Sequence, residues 1–222
     1  MIKQLIIGLA CEGKTDERFL LSIIKRTFEN VVFQYTTNIE ILDVQTIKVP
    51  NKAFIEYAYD SALEGTKSFG ILIFCLHTDS DSNSDSDAFK SKINPAIENI
   101  NSEEGDICKT VVPIVPIRMI ESWMLADSEC FKSEIGTNKS YRDLGITQNP
   151  ERITDPKGKI TEAIRIAFED KPSRRSKPDI SELYLPIGQK CNLTKLENLH
   201  SYLKFKEAVK SSLERINYIR RT

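Results

Sequence analysis

The sequence predicts an α/β protein with a mostly parallel, four-stranded sheet flanked by helices, and three observations predict it. Short apolar runs alternate with helical spacings along residues 1–133. One run, Phe69–Leu76 (FGILIFCL), is apolar throughout, as a short strand covered on both faces would be. Strand–helix alternation of this kind builds βαβ units. Residues 134–222 add a loop-rich, helical extension packed on this domain.

In chain order, Leu5–Cys11 reads as a first strand that ends at Glu12-Gly13. Thr15 is the expected N-cap of a helix over about Asp16–Glu29, with Asp16 and Glu17 in a first turn whose dipole favours acids. Ile39–Val49 reads as a second strand ended by Pro50, and Asn51–Glu64 as a helix stopped at Gly65. After the Phe69–Leu76 strand comes HTDSDSNSDSD, with Asp85, Ser86 or Asp87 capping a helix over Ala88–Ile100 that bends at Pro95. Thr110–Ile117 is a fourth strand, whose two prolines suggest an edge position or irregular ends. Ile117–Phe131 follows as one helix. A surface loop is expected over 134–158, then a helix over Lys159–Phe168 and an exposed basic connection over Lys171–Pro178. A last amphipathic helix spans Tyr202–Tyr218, with Ser201 as its N-cap.

Apolar residues make up 40% of the 222 and charged residues 28%, the balance of a soluble globular chain. No apolar run reaches the roughly 20 residues of a membrane span, and the N-terminus reads as a strand rather than a signal peptide. Five cysteines without a C-x-x-C pair fit core thiols in a reducing, cytoplasmic setting and argue against structural zinc. The net charge of −1 hides an asymmetry. Residues 138–222 hold 18 Lys and Arg against 11 Asp and Glu, and residues 1–137 hold 13 against 21. An acidic part beside a basic part suits a carboxylate metal site next to an anion-binding surface, or simply an uneven solvated surface.

Two chemistries fit the first strand–helix junction. Gly8-Leu-Ala-Cys-Glu-Gly13-Lys14-Thr15 matches the phosphate-loop pattern G-x-x-x-x-G-K-[ST] of nucleotide-binding enzymes. Its middle residues are mostly apolar, however, and Glu12 would face phosphate oxygens. The other chemistry takes Glu12 as a carboxylate at the carboxyl edge of the sheet, where open α/β folds bind ligands. Asp79 and Asp81 follow the third strand and reach the same edge if strands one and three are neighbours. An EF-hand loop is excluded, because Ser84 replaces the required Gly and Lys90 the bidentate Glu. Three converging carboxylates repel unless a cation joins them, and oxygen ligands suit Mg²⁺, with Mn²⁺ able to substitute. Such a metal polarises a phosphodiester and activates water. Glu121 is a further ligand candidate or an ordinary first-turn glutamate. His77 is a satisfied strand-end histidine or an acid/base group. Trp123 belongs to the core, and Lys14, Arg118 and Lys157 are candidate phosphate contacts.

E-G-x-x-D after strand one (Glu12, Gly13, Asp16) and D-x-D after a later strand (Asp79, Asp81) resemble the Toprim domain of topoisomerases, bacterial primases and several nucleases. The resemblance implies a Rossmann-like α/β fold over about residues 1–120. It implies that Glu12 serves as acid/base or metal ligand and that Asp79 and Asp81 hold Mg²⁺. Asn83 stands where many relatives have a third acid. Across more of the chain, CEGKTDERFL, IRMIESWMLAD, TDPKGKI and HSYLKF resemble an uncharacterised prokaryotic family of small stand-alone Toprim-like proteins, some linked to phage defence. That likeness implies a metal-dependent nuclease acting on DNA or RNA, with a separate ATPase or other defence-system subunit as partner and oligomers permitted. A catalytically silent nucleic-acid-binding module is the alternative.

Overall fold

The computed structural model describes residues 2–35, 38–170 and 177–220. It is an α/β fold with parallel strands. β1 (Lys3–Leu5) and β2 (Ile7–Ala10) are halves of one run interrupted at Ile6. β1 pairs with β3 (Ile39–Ile41), and the remaining strands form a sheet in the order β4–β2–β5–β6, with β4 at Gln45–Thr46, β5 at Ile73–His77 and β6 at Val111–Ile114. All the pairings are parallel. The expected adjacency of the first and third strand runs is present, with Ala10 opposite Leu76. β6 is an edge strand, which is where Pro113 can lack an N–H without breaking a ladder.

Alternation along the strands feeds two cores. Leu5, Ile7, Leu9, Ile73 and Cys75 face α1 (Lys14–Phe33), while Ala10, Phe74 and Leu76 face α2 (Phe54–Phe69) and the helix at Asn94–Ser102. Both faces are therefore covered, which accounts for the unbroken apolarity of β5. Gly8 and Gly65 let α2 approach the sheet: a Cβ on either would lie 2.6 Å from the Ile47 Cδ1 methyl.

The interval after β5 begins with α3 (Ser86–Ala88), passes through a π-helical turn at Phe89–Ile93 and ends as α4 (Asn94–Ser102). Pro95 lies in the first turn of α4, directly after the π-helical turn. The expected Ile117–Phe131 helix is two helices, α5 (Glu121–Met124) and α6 (Ser128–Glu134). Two features shorten and split it. Ahead of α5, Arg118 has a φ of 68°, which helical backbone cannot hold, so the helix begins only at Glu121. Asp127 accepts the Cys130 N–H at 3.2 Å and restarts the helix as an N-cap. The same carboxylate accepts the Asn192 N–H at 2.8 Å.

α7 (Pro156–Ala167), α8 (Ile180–Lys190), α9 (Leu193–Leu196) and α10 (His200–Arg215) complete the chain. Leu183, Tyr184 and Ile187 of α8 and Tyr202 and Phe205 of α10 share one apolar cluster with Phe19, Ile23 and Ile24 of α1. Gly188 permits the α1–α8 contact, since a Cβ there would stand 2.7 Å from the Phe19 carbonyl oxygen. Arg26 donates to the carbonyls of Gly188 (2.9 Å) and Cys191 (2.6 Å), satisfying the end of α8.

Several expected boundaries move. The first helix starts at Lys14 with Gly13 as N-cap, and the Thr15 hydroxyl donates to Asp16 instead (3.4 Å). The second strand run is two short pieces. Ser201 lies inside α10 rather than capping it, donating to Glu151 at 2.6 Å and accepting from Trp123 Nε1 at 2.8 Å. Glu151 also accepts the backbone N–H groups of His200 and Ser201, so a distant carboxylate caps α10. Asp85 caps nothing with its side chain; both its oxygens accept from Lys204, at 2.9 and 2.7 Å. Most of the basic connection, residues 171–176, lies outside the described residues. Among the described residues no helix is long and apolar enough to cross a membrane.

Candidate functional site at the carboxyl edge of the sheet

Parallel pairing of β2 with β5 places the Glu12–Gly13 turn beside the segment that follows His77. That segment is not a loose Ser/Asp linker at its start. Thr78 N–H donates to Ile114 O (3.2 Å), Ser80 N–H to Pro116 O (3.2 Å), and Asp81 N–H to Arg118 O (2.9 Å). Arg118 N–H donates back to Ser82 O at 3.0 Å and to Ser80 Oγ at 2.9 Å. The β5–β6 pairing thus continues past both strands as far as residue 82. Asp81 and Arg118 take positive φ values of 53° and 68° where the two segments turn apart.

The Glu12, Asp16 and Asp79 charges act on His77, and the Asp79 charge acts on Glu121. Asp79 Oδ1 lies 3.4 Å from His77 Nε2, without hydrogen-bond geometry, and accepts the Ile120 N–H at 3.1 Å. His77 is 2% exposed, and neither ring nitrogen has a hydrogen-bond partner. Its close polar contact is the ion-pair approach of Asp79, so the expected satisfaction of this histidine is partial. Burial alone would lower its pKa, but Asp79, Asp16 and Glu12 outweigh burial and raise it. Asp16 is raised by burial and by Asp79, against the lowering effects of His77, Thr15 and Lys157. Glu121 is 4% exposed and accepts a short hydrogen bond from the Tyr184 hydroxyl. Burial, with the Asp79 charge, raises its pKa against the opposing Tyr184 and Lys157. Tyr184 is itself held protonated by burial and by the Glu121, Asp16 and Asp79 charges.

Asp79 sits within this group, while Asp81 is exposed and absent from the charges acting on His77, Asp16, Glu121 and Tyr184. Asp16, a flanking residue in the motif, stands inside it. Lys157 acts on both Asp16 and Glu121, as a phosphate contact near the group would. Arg118 has a buried Nε without a partner, and Lys14 is exposed beside the Glu12 turn. Tyr184 was not legible as a site residue; it comes from α8, where Pro186 interrupts the helical signal.

The phosphate-loop pattern finds no loop. Gly8, Leu9 and Ala10 are strand residues, Gly8 and Leu9 paired on both sides and Ala10 with Leu76, and Gly8 is packed against Ile47 and Ile71. Only residues 11–13 lie between strand and helix, too few to wrap a phosphate chain.

Among the described residues no three His, Cys, Asp or Glu side chains are gathered as a ready-made metal site. The chemistry of the donors nevertheless fits a hard divalent cation: carboxylates whose pKa values are raised by burial and by the Asp79 charge gain from one. The five cysteines are free thiols, so none serves as a disulfide.

No curated protein and no solved structure matches this chain. A family model matches residues 11–188, a span that contains Glu12, Asp16, His77, Asp79, Glu121, Lys157 and Tyr184. The match covers most of the chain, and the protein belongs to the family described as Domain of unknown function (DUF4276).

Proposed function

We propose that this is a Toprim-like, Mg²⁺-dependent phosphodiesterase acting on DNA or RNA, with Mn²⁺ able to substitute. The observation that carries the reading is the approach of Asp79 to within 3.4 Å of the buried His77, with the Glu12 and Asp16 charges acting on the same ring and the Asp79 charge on Glu121. Carboxylates held together at the ligand-binding edge of a parallel sheet are costly unless they serve a cation or move protons. Asp79, Asp16 and Glu121 are the residues that would hold the metal, with Asp81 as an outer ligand. A bound Mg²⁺ would supply charge stabilisation at the phosphate and an activated water.

The chain's own groups do the rest. Glu12, exposed at the turn, handles the proton of the attacking or leaving oxygen. His77 balances the local negative charge. Tyr184 holds the Glu121 carboxylate through its hydroxyl. Lys157 and Arg118 take the non-bridging phosphate oxygens, and the basic stretch from Lys157 to Lys177 strengthens strand binding through counterion release. Free thiols accord with a reducing, cytoplasmic location, and a separate ATPase or defence-system subunit would supply any coupling to a trigger.

The test is a cleavage assay on single-stranded and duplex DNA and RNA, run with Mg²⁺, Mn²⁺ or EDTA, beside calorimetric titration of each metal. Metal-dependent cleavage lost in Asp79→Asn is the expected result. Absence of metal binding together with absence of cleavage would overturn the reading.

A further inference from the structure

A second concavity adjoins the carboxylate group. A cleft of about 360 Å³ lies between the Glu12–Gly13 turn, the chain that follows β4, and the start of α2. The rings of Phe54 and Tyr57 form part of its wall, and Lys14, Lys48 and Lys52 line it. Lys52 is paired with Asp60 at 2.5 Å. Lys14 and Lys48 are exposed, and among the described residues their ammonium groups have no partner. Glu17 also lines the cleft, but its Oε1 accepts the Thr46 hydroxyl at 3.1 Å. Glu12 stands at the junction, its charge acting on Tyr57 in the cleft and on His77 in the carboxylate group.

We propose that this cleft holds one unpaired nucleotide of a single-stranded nucleic acid, with its base against Phe54 and Tyr57 and its phosphate on Lys14 and Lys48. This rests on the phosphodiesterase reading of the adjoining group and extends it from chemistry to substrate form. The volume lies within the roughly 300–1,000 Å³ of small-ligand pockets, enough for a nucleotide. Two unpaired cations beside two aromatic rings match an anion attached to a flat π-face, the combination that single-strand binders use. The Tyr57 hydroxyl donates to the Cys11 carbonyl at 3.0 Å, so its ring is fixed in place before ligand arrives. A base stacked within a duplex does not reach such a cleft unless it is first unstacked.

The experiment titrates the full chain, without divalent cation, with a single-stranded hexanucleotide, the same sequence as a duplex hairpin stem, and a nucleoside 5′-monophosphate. The hexamer is expected to bind at least about tenfold more tightly than the stem, and Lys48→Glu to weaken it about tenfold and flatten its salt dependence. Phe54→Leu, which keeps an apolar side chain, is expected to weaken the hexamer also. Equal affinity for stem and hexamer, indifference to Lys48→Glu, or binding of the monophosphate alone would each overturn the proposal. Metal titration of the same samples separates the two readings. Mg²⁺ binding without hexamer binding removes the cleft and leaves the metal site, while Lys48-dependent hexamer binding without Mg²⁺ binding does the reverse.

Discussion

Asp79 Oδ1 accepts the backbone N–H of Ile120 at 3.1 Å, joining the end of β5 to the turn that presents Glu121. One carboxylate thus fixes the position of another, and its structural and electrostatic roles are separable by substitution. Asparagine keeps an acceptor oxygen; alanine does not. Asp79→Asn is expected to stay within about 1 kcal/mol of the parent stability, and Asp79→Ala to lose about 1–2 kcal/mol. Both should lose the calorimetric signal for Mg²⁺ or Mn²⁺. Urea unfolding and metal titration measure the two effects; undiminished metal binding in Asp79→Asn would remove Asp79 from the site.

Glu12→Gln removes a charge and a basic oxygen from an exposed turn. Thermal stability is expected to match the parent. Cleavage should fall at least about 100-fold, the lower end of general acid–base contributions. Near-normal cleavage would show that another group handles the proton.

Lys204→Met tests the ion pair between α10 and the acidic run. Asp85 is 4% exposed and both its oxygens are bound by Lys204, whose own side chain is 44% exposed. Removing the cation strands a buried carboxylate. The expected loss is about 2–3 kcal/mol, below the range for fully buried pairs because the lysine is half open to water. Denaturant midpoints for Lys204→Met, Asp85→Asn and the double variant give the coupling. A single variant as stable as the parent would deny the contact any role.

The thiols should be unreactive near neutral pH. Burial, followed by the charges of Asp16, Glu17 and Glu12, pushes Cys11 up to about 12, and burial takes Cys130 to about 12 and Cys108 and Cys191 to about 11. A raised thiol pKa leaves less thiolate at a given pH, and three units make it about a thousandfold scarcer. Alkylation by iodoacetamide at pH 8, followed by mass spectrometry, should therefore lag far behind glutathione, even at the partly exposed Cys11. Cys11 labelling at the glutathione rate would contradict this.

Much of this arrangement was legible from pattern. Apolar runs located β2 and β5, and their pairing in the sheet brings Glu12 toward Asp79. Trp123 is fully buried, as expected of a core residue, and packs edge-to-face on Tyr202 at 5.3 Å. What stayed hidden depended on tertiary partners. Asp16 looks like any first-turn acid, and only packing makes it half-buried beside Asp79. Glu151 resembles a loop glutamate, yet it caps α10 from 49 residues away. The break between α5 and α6 turned on a carboxylate that serves two helix starts at once. Asp81 looked equivalent to Asp79 in the motif, but its left-handed backbone carries it outward.

The Tyr184–Glu121 hydrogen bond has a consequence for the order in which the protein is made. Every carboxylate of the site has been translated by residue 121, while the hydroxyl that holds Glu121 follows 63 residues later. Until then α1 is covered only on the side that meets the sheet, since α8 and α10 complete its burial. The nascent chain therefore carries its acids in water, where they neither perturb one another strongly nor hold a cation well. Shelter and charge are assembled at different times, and the second segment to be translated is the one that turns a charged edge into an enclosed site.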